Sequence, residues 1–63
     1  MKTGEQCIVN GRGDLAMIYE ARPFIRQACT IIKICKSGLI QVSLNSNPEL
    51  TRSFPKFNIT LDG

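Results

Sequence analysis

Three observations predict an all-β chain closed as a small antiparallel SH3-like barrel of five or six short strands. β-Branched residues crowd the centre of the chain, and apolar and polar side chains alternate at a spacing of two in several segments. No segment is both long enough and regular enough to establish a helical period. With 63 residues the chain holds one domain, 1–63. An open sheet of this size leaves unpaired edges, so closure or self-association is expected.

The elements follow in order. Gln6-Cys7-Ile8-Val9 reads as a short strand, stopped by Asn10-Gly11-Arg12-Gly13-Asp14, which is turn chemistry throughout. Leu15 to Ala21 suits a strand or two turns of helix. Its helix formers favour the helix, and its place between β segments favours a strand or an irregular β-loop, the expectation adopted. Pro23 biases Arg22 toward extended geometry and should end whatever precedes it. The strongest signal is a hairpin. Thr30-Ile31-Ile32-Lys33-Ile34-Cys35 and Leu39-Ile40-Gln41-Val42-Ser43-Leu44 flank the turn Lys36-Ser37-Gly38, where Gly38 supplies the positive φ. Strict alternation puts Ile32, Ile34, Ile40, Val42 and Leu44 on the core face. It puts Cys29, Ile31, Lys33, Cys35, Leu39 and Gln41 on the other.

Asn45-Ser46-Asn47-Pro48 reads as a loop, and Glu49 to Phe54 as a weakly alternating strand closed by Pro55. Phe57, Ile59 and Leu61 then alternate with Asn58, Thr60 and Asp62 as a half-buried last strand, with Phe54 and Phe57 filling the core. This order of parts resembles the SH3-like small barrels of the Tudor and KOW type. The resemblance rests on the first strand at Cys7-Ile8-Val9, the long loop from Asn10 to about Arg26 and the bent hairpin from Ala28 to Leu44. Arg52-Ser53-Phe54-Pro55 and the short last strand complete it. It covers most of the chain at the level of pattern, and such a fold implies no single function. The aromatic cage of methyl-reading Tudor modules and the Trp- and Tyr-lined groove of peptide-binding SH3 domains both lack residues here. There is no Trp, and Tyr19, Phe24, Phe54 and Phe57 are the only aromatics.

Composition removes several chemistries. Without any His there is no Ser-His-Asp triad, no Cys-His dyad and no His-containing metal site. Cys7, Cys29 and Cys35 include no C-x-x-C pair and are read as small buried hydrophobes, with no metal and no cofactor. Cys29 and Cys35 on one strand would stand roughly 20 Å apart, too far for a disulfide. No apolar run of membrane-spanning length occurs, and none follows Lys2 to form a signal peptide, so a reducing cytoplasm is the expected compartment. Arg12-Gly13-Asp14 spells an adhesion tripeptide and Asn58-Ile59-Thr60 a glycosylation sequon. Without a secretory route both read as turn and strand fragments. Asn10-Gly11-Arg12-Gly13 lacks the strand–loop–helix context and the G-K-[ST] of a phosphate loop. Five scattered acids offer no paired carboxylates, so no enzyme is expected.

Eight Lys and Arg against five Asp and Glu give a net charge of +3. Between Ala21 and Pro48 the charges Arg22, Arg26, Lys33 and Lys36 meet no acid. Arg26, Lys33, Lys36, Arg52 and Lys56 are therefore the candidate phosphate-contacting residues of a nucleic-acid-binding module. The alternative is a protein partner, or a second copy forming a homodimer. It would dock on an apolar strip of Ile31, Cys35 and Leu39, as in an adaptor or inhibitor such as phages and mobile elements carry.

Overall fold

The computed structural model describes residues 1–61. Five strands form a single antiparallel sheet: β1 (Gln6–Val9), β2 (Ala28–Ile34), β3 (Leu39–Leu44), β4 (Asn47–Pro55) and β5 (Ile59–Leu61). Their order across the sheet is β4-β3-β2-β1-β5. Short 3-10 turns at Leu15–Met17 and Tyr19–Phe24 lie between β1 and β2, and a third, Lys56–Asn58, leads into β5. Every strand gives inward side chains to one buried cluster. Cys7, Val9, Cys29, Ile31, Ile40, Val42, Leu44, Phe54 and Ile59 come from the sheet, with Leu15, Ala21 and Phe24 from the 3-10 turns. One sheet encloses such a cluster only by curling, and the extents of 27 × 26 × 22 Å are those of a wrapped sheet rather than a slab. The all-β reading and the five strands hold.

The hairpin forms as its turn chemistry requires. The Gly38 N–H donates to the Cys35 carbonyl at 3.0 Å and the Cys35 N–H to the Leu39 carbonyl at 2.9 Å. Gly38 takes φ +96°, the left-handed residue that ends a three-residue hairpin loop. The strict alternation of the first arm fails, however. Ile31 pairs with Val42 and Lys33 with Gln41, so β2 advances two residues while β3 advances one. Ile32 is the extra residue of a β-bulge, and a bulge reverses the inward–outward parity on either side of it. Cys29 and Ile31, expected outside, are fully buried at 0% exposure, whereas Ile32 is 42% exposed. Ile34 does pair with the buried Ile40, as expected, but lies beyond the reach of β1 and is equally exposed.

Other departures have equally local causes. Leu15 to Ala21 takes the irregular course rather than the strand, in two 3-10 turns; its neighbours β1 and β2 are each paired on both sides and offer it no ladder. The segment instead makes i to i−3 bonds, Met17 N–H to Asp14 O and Ile18 N–H to Leu15 O, each 3.0 Å. Pro23 does not end it; the second 3-10 turn runs through Pro23 to Phe24. Phe24 then meets Phe54 edge to face, with ring centroids 5.5 Å apart. The expected loop at Asn45–Pro48 shrinks to a tight turn, with β4 starting at Asn47. Pro48 is tolerated because β4 is an edge strand and needs no donor on its outer side. Its carbonyl accepts the Ser43 hydroxyl at 2.8 Å, across a second irregularity between Ser43 and Leu44. The 3-10 turn after Pro55 carries Phe57 outward, 58% exposed against 1% for Phe54, so Phe57 does not fill the core. Asp62, expected on the outward side of the last strand, lies outside the described residues.

On the outer face Gln6, Thr30 and Asn45 close a ring of side-chain hydrogen bonds. Gln6 Nε2 donates to Thr30 Oγ1, Thr30 Oγ1 to Asn45 Oδ1 and Asn45 Nδ2 to Gln6 Oε1, at 2.9, 2.6 and 2.7 Å. The ring ties β1, β2 and the β3–β4 turn together on the side away from the core.

The bulge makes a sharp contrast between neighbours. Ile31→Ala should cost about 2–5 kcal/mol, as cavity-forming core truncations do. Ile32→Ala should cost under about 1 kcal/mol, as at exposed positions. Urea denaturation midpoints of the two variants measure the difference; equal losses would contradict the bulge.

Candidate nucleic-acid interface

The hairpin is the structural support for the basic residues, and it divides them. Lys33 opposes Gln41, which in turn opposes Ser53, so Lys33 stands in a polar row on the outer face. Lys36 occupies the turn itself. Leu39 pairs with Pro55, and this brings Lys56, the next residue, to the same end of the sheet. All three lysines are exposed. Their neighbours on the hairpin end include Ile32, Ile34 and Leu39, each about two-fifths exposed, and the half-buried Cys35.

The remaining candidates fall elsewhere. Arg52 opposes Val42, whose side chain is buried, so Arg52 lies on the inward side of edge strand β4 and is half-buried. An inward-pointing charge on an edge strand discourages pairing with other chains, which is the role its position supports. Arg26 is exposed at the other end of β2 from the hairpin turn. It adopts φ +61°, uncommon for a residue with a side chain, and its N–H reaches the Val9 carbonyl at 2.7 Å. Ile31 leaves the apolar strip altogether, because the bulge turns it into the core. Leu39 and Cys35 remain at the surface.

Electrostatics favour the lysine group as an anion-contacting surface. Among the described residues the one ion pair joins the N-terminal ammonium to Glu5, 3.6 Å apart, so no Lys or Arg head is neutralised by a carboxylate. Arg22 instead lies over the Tyr19 ring, 5.9 Å from its centroid, and its Nε donates to the Ala16 carbonyl at 3.2 Å. Among the described residues there is no concave pocket, no group of three Cys, Asp or Glu gathered as for a metal, and no helix long and apolar enough to cross a membrane.

One functional-looking feature escaped the sequence reading. Asn58, buried, donates through Nδ2 toward Arg12 O at 3.1 Å, Asn10 Oδ1 at 3.2 Å and Asn10 O at 3.4 Å. Asn10 Nδ2 donates back to Phe57 O at 3.0 Å and Thr60 Oγ1 at 3.2 Å. The Asn10–Gly13 turn and the last 3-10 turn are locked together in this way, and Gly13 lies beside the Phe57 ring at φ +68°, a backbone conformation that suits glycine. A sequon-like Asn58 and an Arg12-Gly13-Asp14 turn thus share a structural task. No local signal could reveal it, since the partners are far apart in sequence.

Compared with known proteins, the chain matches no protein-family model, and no curated protein or solved structure is similar enough to count as a match.

Asn58→Ala should destabilise the fold by about 2 kcal/mol, since it removes the buried amide that ties the Asn10–Gly13 turn to the last 3-10 turn. Asn58→Asp should cost more, because it sets a carboxylate against the same acceptors. Thermal denaturation followed by circular dichroism would order the two.

Proposed function

We propose that this protein is a non-enzymatic binding module of the SH3-like small-barrel type, cytoplasmic, whose hairpin end contacts the phosphates of nucleic acid. Three features support the barrel reading: β1 sits between β2 and β5, a long loop joins β1 to β2, and a 3-10 turn precedes the last strand. The observation that carries the nucleic-acid reading is the grouping of Lys33, Lys36 and Lys56 at one end of the sheet without a carboxylate partner among the described residues. Phosphate contacts of this kind act through release of counterions and carry little sequence information. Arg26 and Arg52 stand apart from the group and are not assigned to it.

A second reading rests on the exposed Ile34 and Leu39 beside the lysines. They suit a protein partner or a second copy better than a phosphate backbone. In that case mass measured by light scattering rises with concentration, and Leu39→Asp abolishes the rise without unfolding the chain.

Fluorescence anisotropy with a labelled generic oligonucleotide tests the first reading. Affinity should fall steeply with salt, and Lys33→Glu, Lys36→Glu or Lys56→Glu should each weaken binding several-fold and lower the salt slope by about one. Arg26→Glu, at the far end of β2, should change affinity much less. Binding that ignores salt, or that responds equally to all four substitutions, would defeat the assignment.

A further inference from the structure

Cys7 of β1 and Cys29 of β2 are direct partners in the antiparallel ladder. Both are free and buried on the inward side of the sheet. Directly opposed residues of such a ladder hold their Cα atoms about 4.5–5.5 Å apart. A disulfide spans about 4.4–6.8 Å between Cα atoms, so the ladder register holds this pair within bridging range. Cys35, at the hairpin turn, has no place opposite β1 and does not compete. We propose that Cys7 and Cys29 form a cross-strand disulfide when the chain meets a small-molecule disulfide such as oxidised glutathione, making a redox-dependent staple between β1 and β2.

The exchange balances without any further reagent. One cysteine, as thiolate, attacks the sulfur–sulfur bond of the oxidant, forming a mixed disulfide and releasing one glutathione thiolate. The second cysteine, as thiolate, then displaces the other glutathione. Two protein thiols are oxidised, one external disulfide is reduced, and the two protons lost by the protein end on the two released thiols.

The surroundings set how readily this happens. Burial raises both thiols above their usual range, Cys29 to about 11 with a further contribution from neighbouring Cys7. Thiolate is therefore scarce at neutral pH, and the Cys29 thiol is meanwhile held by the Gln27 carbonyl at 3.4 Å. Attack requires local opening of β1, which has only four residues. Native exchange is slow near pH 7 and accelerates as pH rises. Once formed, the bond closes a loop of about twenty residues that contains the whole β1–β2 connection, restricting the unfolded chain.

The test uses the folded 63-residue chain with Cys35→Ser, so that one pairing remains. After incubation with oxidised glutathione, intact mass should fall by two hydrogens, and non-reducing peptide mapping should join the peptides of Cys7 and Cys29. The thermal midpoint should rise by roughly 10–20 °C and return on adding dithiothreitol. Alkaline stability supplies a separate reading. Among the buried side chains described, Cys7 and Cys29 are the only ones that titrate. In the reduced chain their contribution is full below the unfolded value of 9.0 and declines as pH climbs above it, for Cys29 up to about 11, because the unfolded thiols ionise first. The oxidised chain lacks this decline. The proposal is overturned if the folded chain keeps both thiols under conditions that oxidise the urea-unfolded chain, or stops at the glutathione adduct. A cross-linked product with an unraised midpoint would also overturn it. Should Cys35→Ser fail to fold, peptide mapping of the unsubstituted chain decides between the Cys7–Cys29 link and any link to Cys35.

Discussion

A single small sheet has one apolar face and no second layer to cover it, and the whole molecule is arranged around that constraint. The sheet hides the face by curling around it, with the connection between β1 and β2 laid over what remains. β1 makes this work. It is four residues long, yet it carries ladders to β2 on one side and β5 on the other. Cys7 and Val9 pass from it into the core while Gln6 and Ile8 stay outside. Through β1 the end of the chain is joined to the central hairpin, and the core becomes one cluster rather than two partial faces.

The rest of the cover comes from the long connection between β1 and β2. Its 3-10 turns contribute Leu15, Ala21 and Phe24, and the last of these meets Phe54 from β4, across the core from β1. Backbone groups in such irregular segments need partners that no ladder supplies. Here short-range 3-10 bonds serve the connection itself, and the reciprocal Asn10–Asn58 contacts fasten its start to the turn before β5. The buried polar side chains described all find a hydrogen-bond partner. The irregular half of the molecule is thus held in place both by specific polar contacts and by the apolar side chains it gives to the core.

Exposed charges lie on both halves: Lys33, Lys36 and Lys56 at the hairpin end, and Arg12, Asp14, Glu20, Arg22 and Arg26 along the β1–β2 connection, while the inward charge Arg52 lies on an edge strand where it resists pairing with other chains. The lysine group and the exposed aliphatics beside it share that end, so both readings of function converge on the same part of the fold. The Cys7–Cys29 pair lies elsewhere, at the joint between β1 and β2, and concerns the integrity of the sheet rather than its contacts.

Local composition alone determined much of this. Gly38 in its turn, the β-branched arms on either side, the short first strand at Gln6 to Val9 and the β-strand content of the chain are all decided by residues within a few positions of one another. The lysines at 33 and 36 could be placed near the hairpin turn for the same reason. What the amino-acid order could not decide was parity and pairing. Whether Ile31 or Ile32 enters the core depends on one extra residue in β2, which exists only because of how β3 pairs with it. Whether Leu15 to Ala21 is a strand or an irregular cover depends on which neighbouring strands are free and on what the open side of the core needs, and β1 and β2 are already paired on both sides. The pairing of Cys7 with Cys29 and of Asn10 with Asn58 likewise depends on strand register. Register is set by the sum of contacts across the sheet, and no local segment contains that sum.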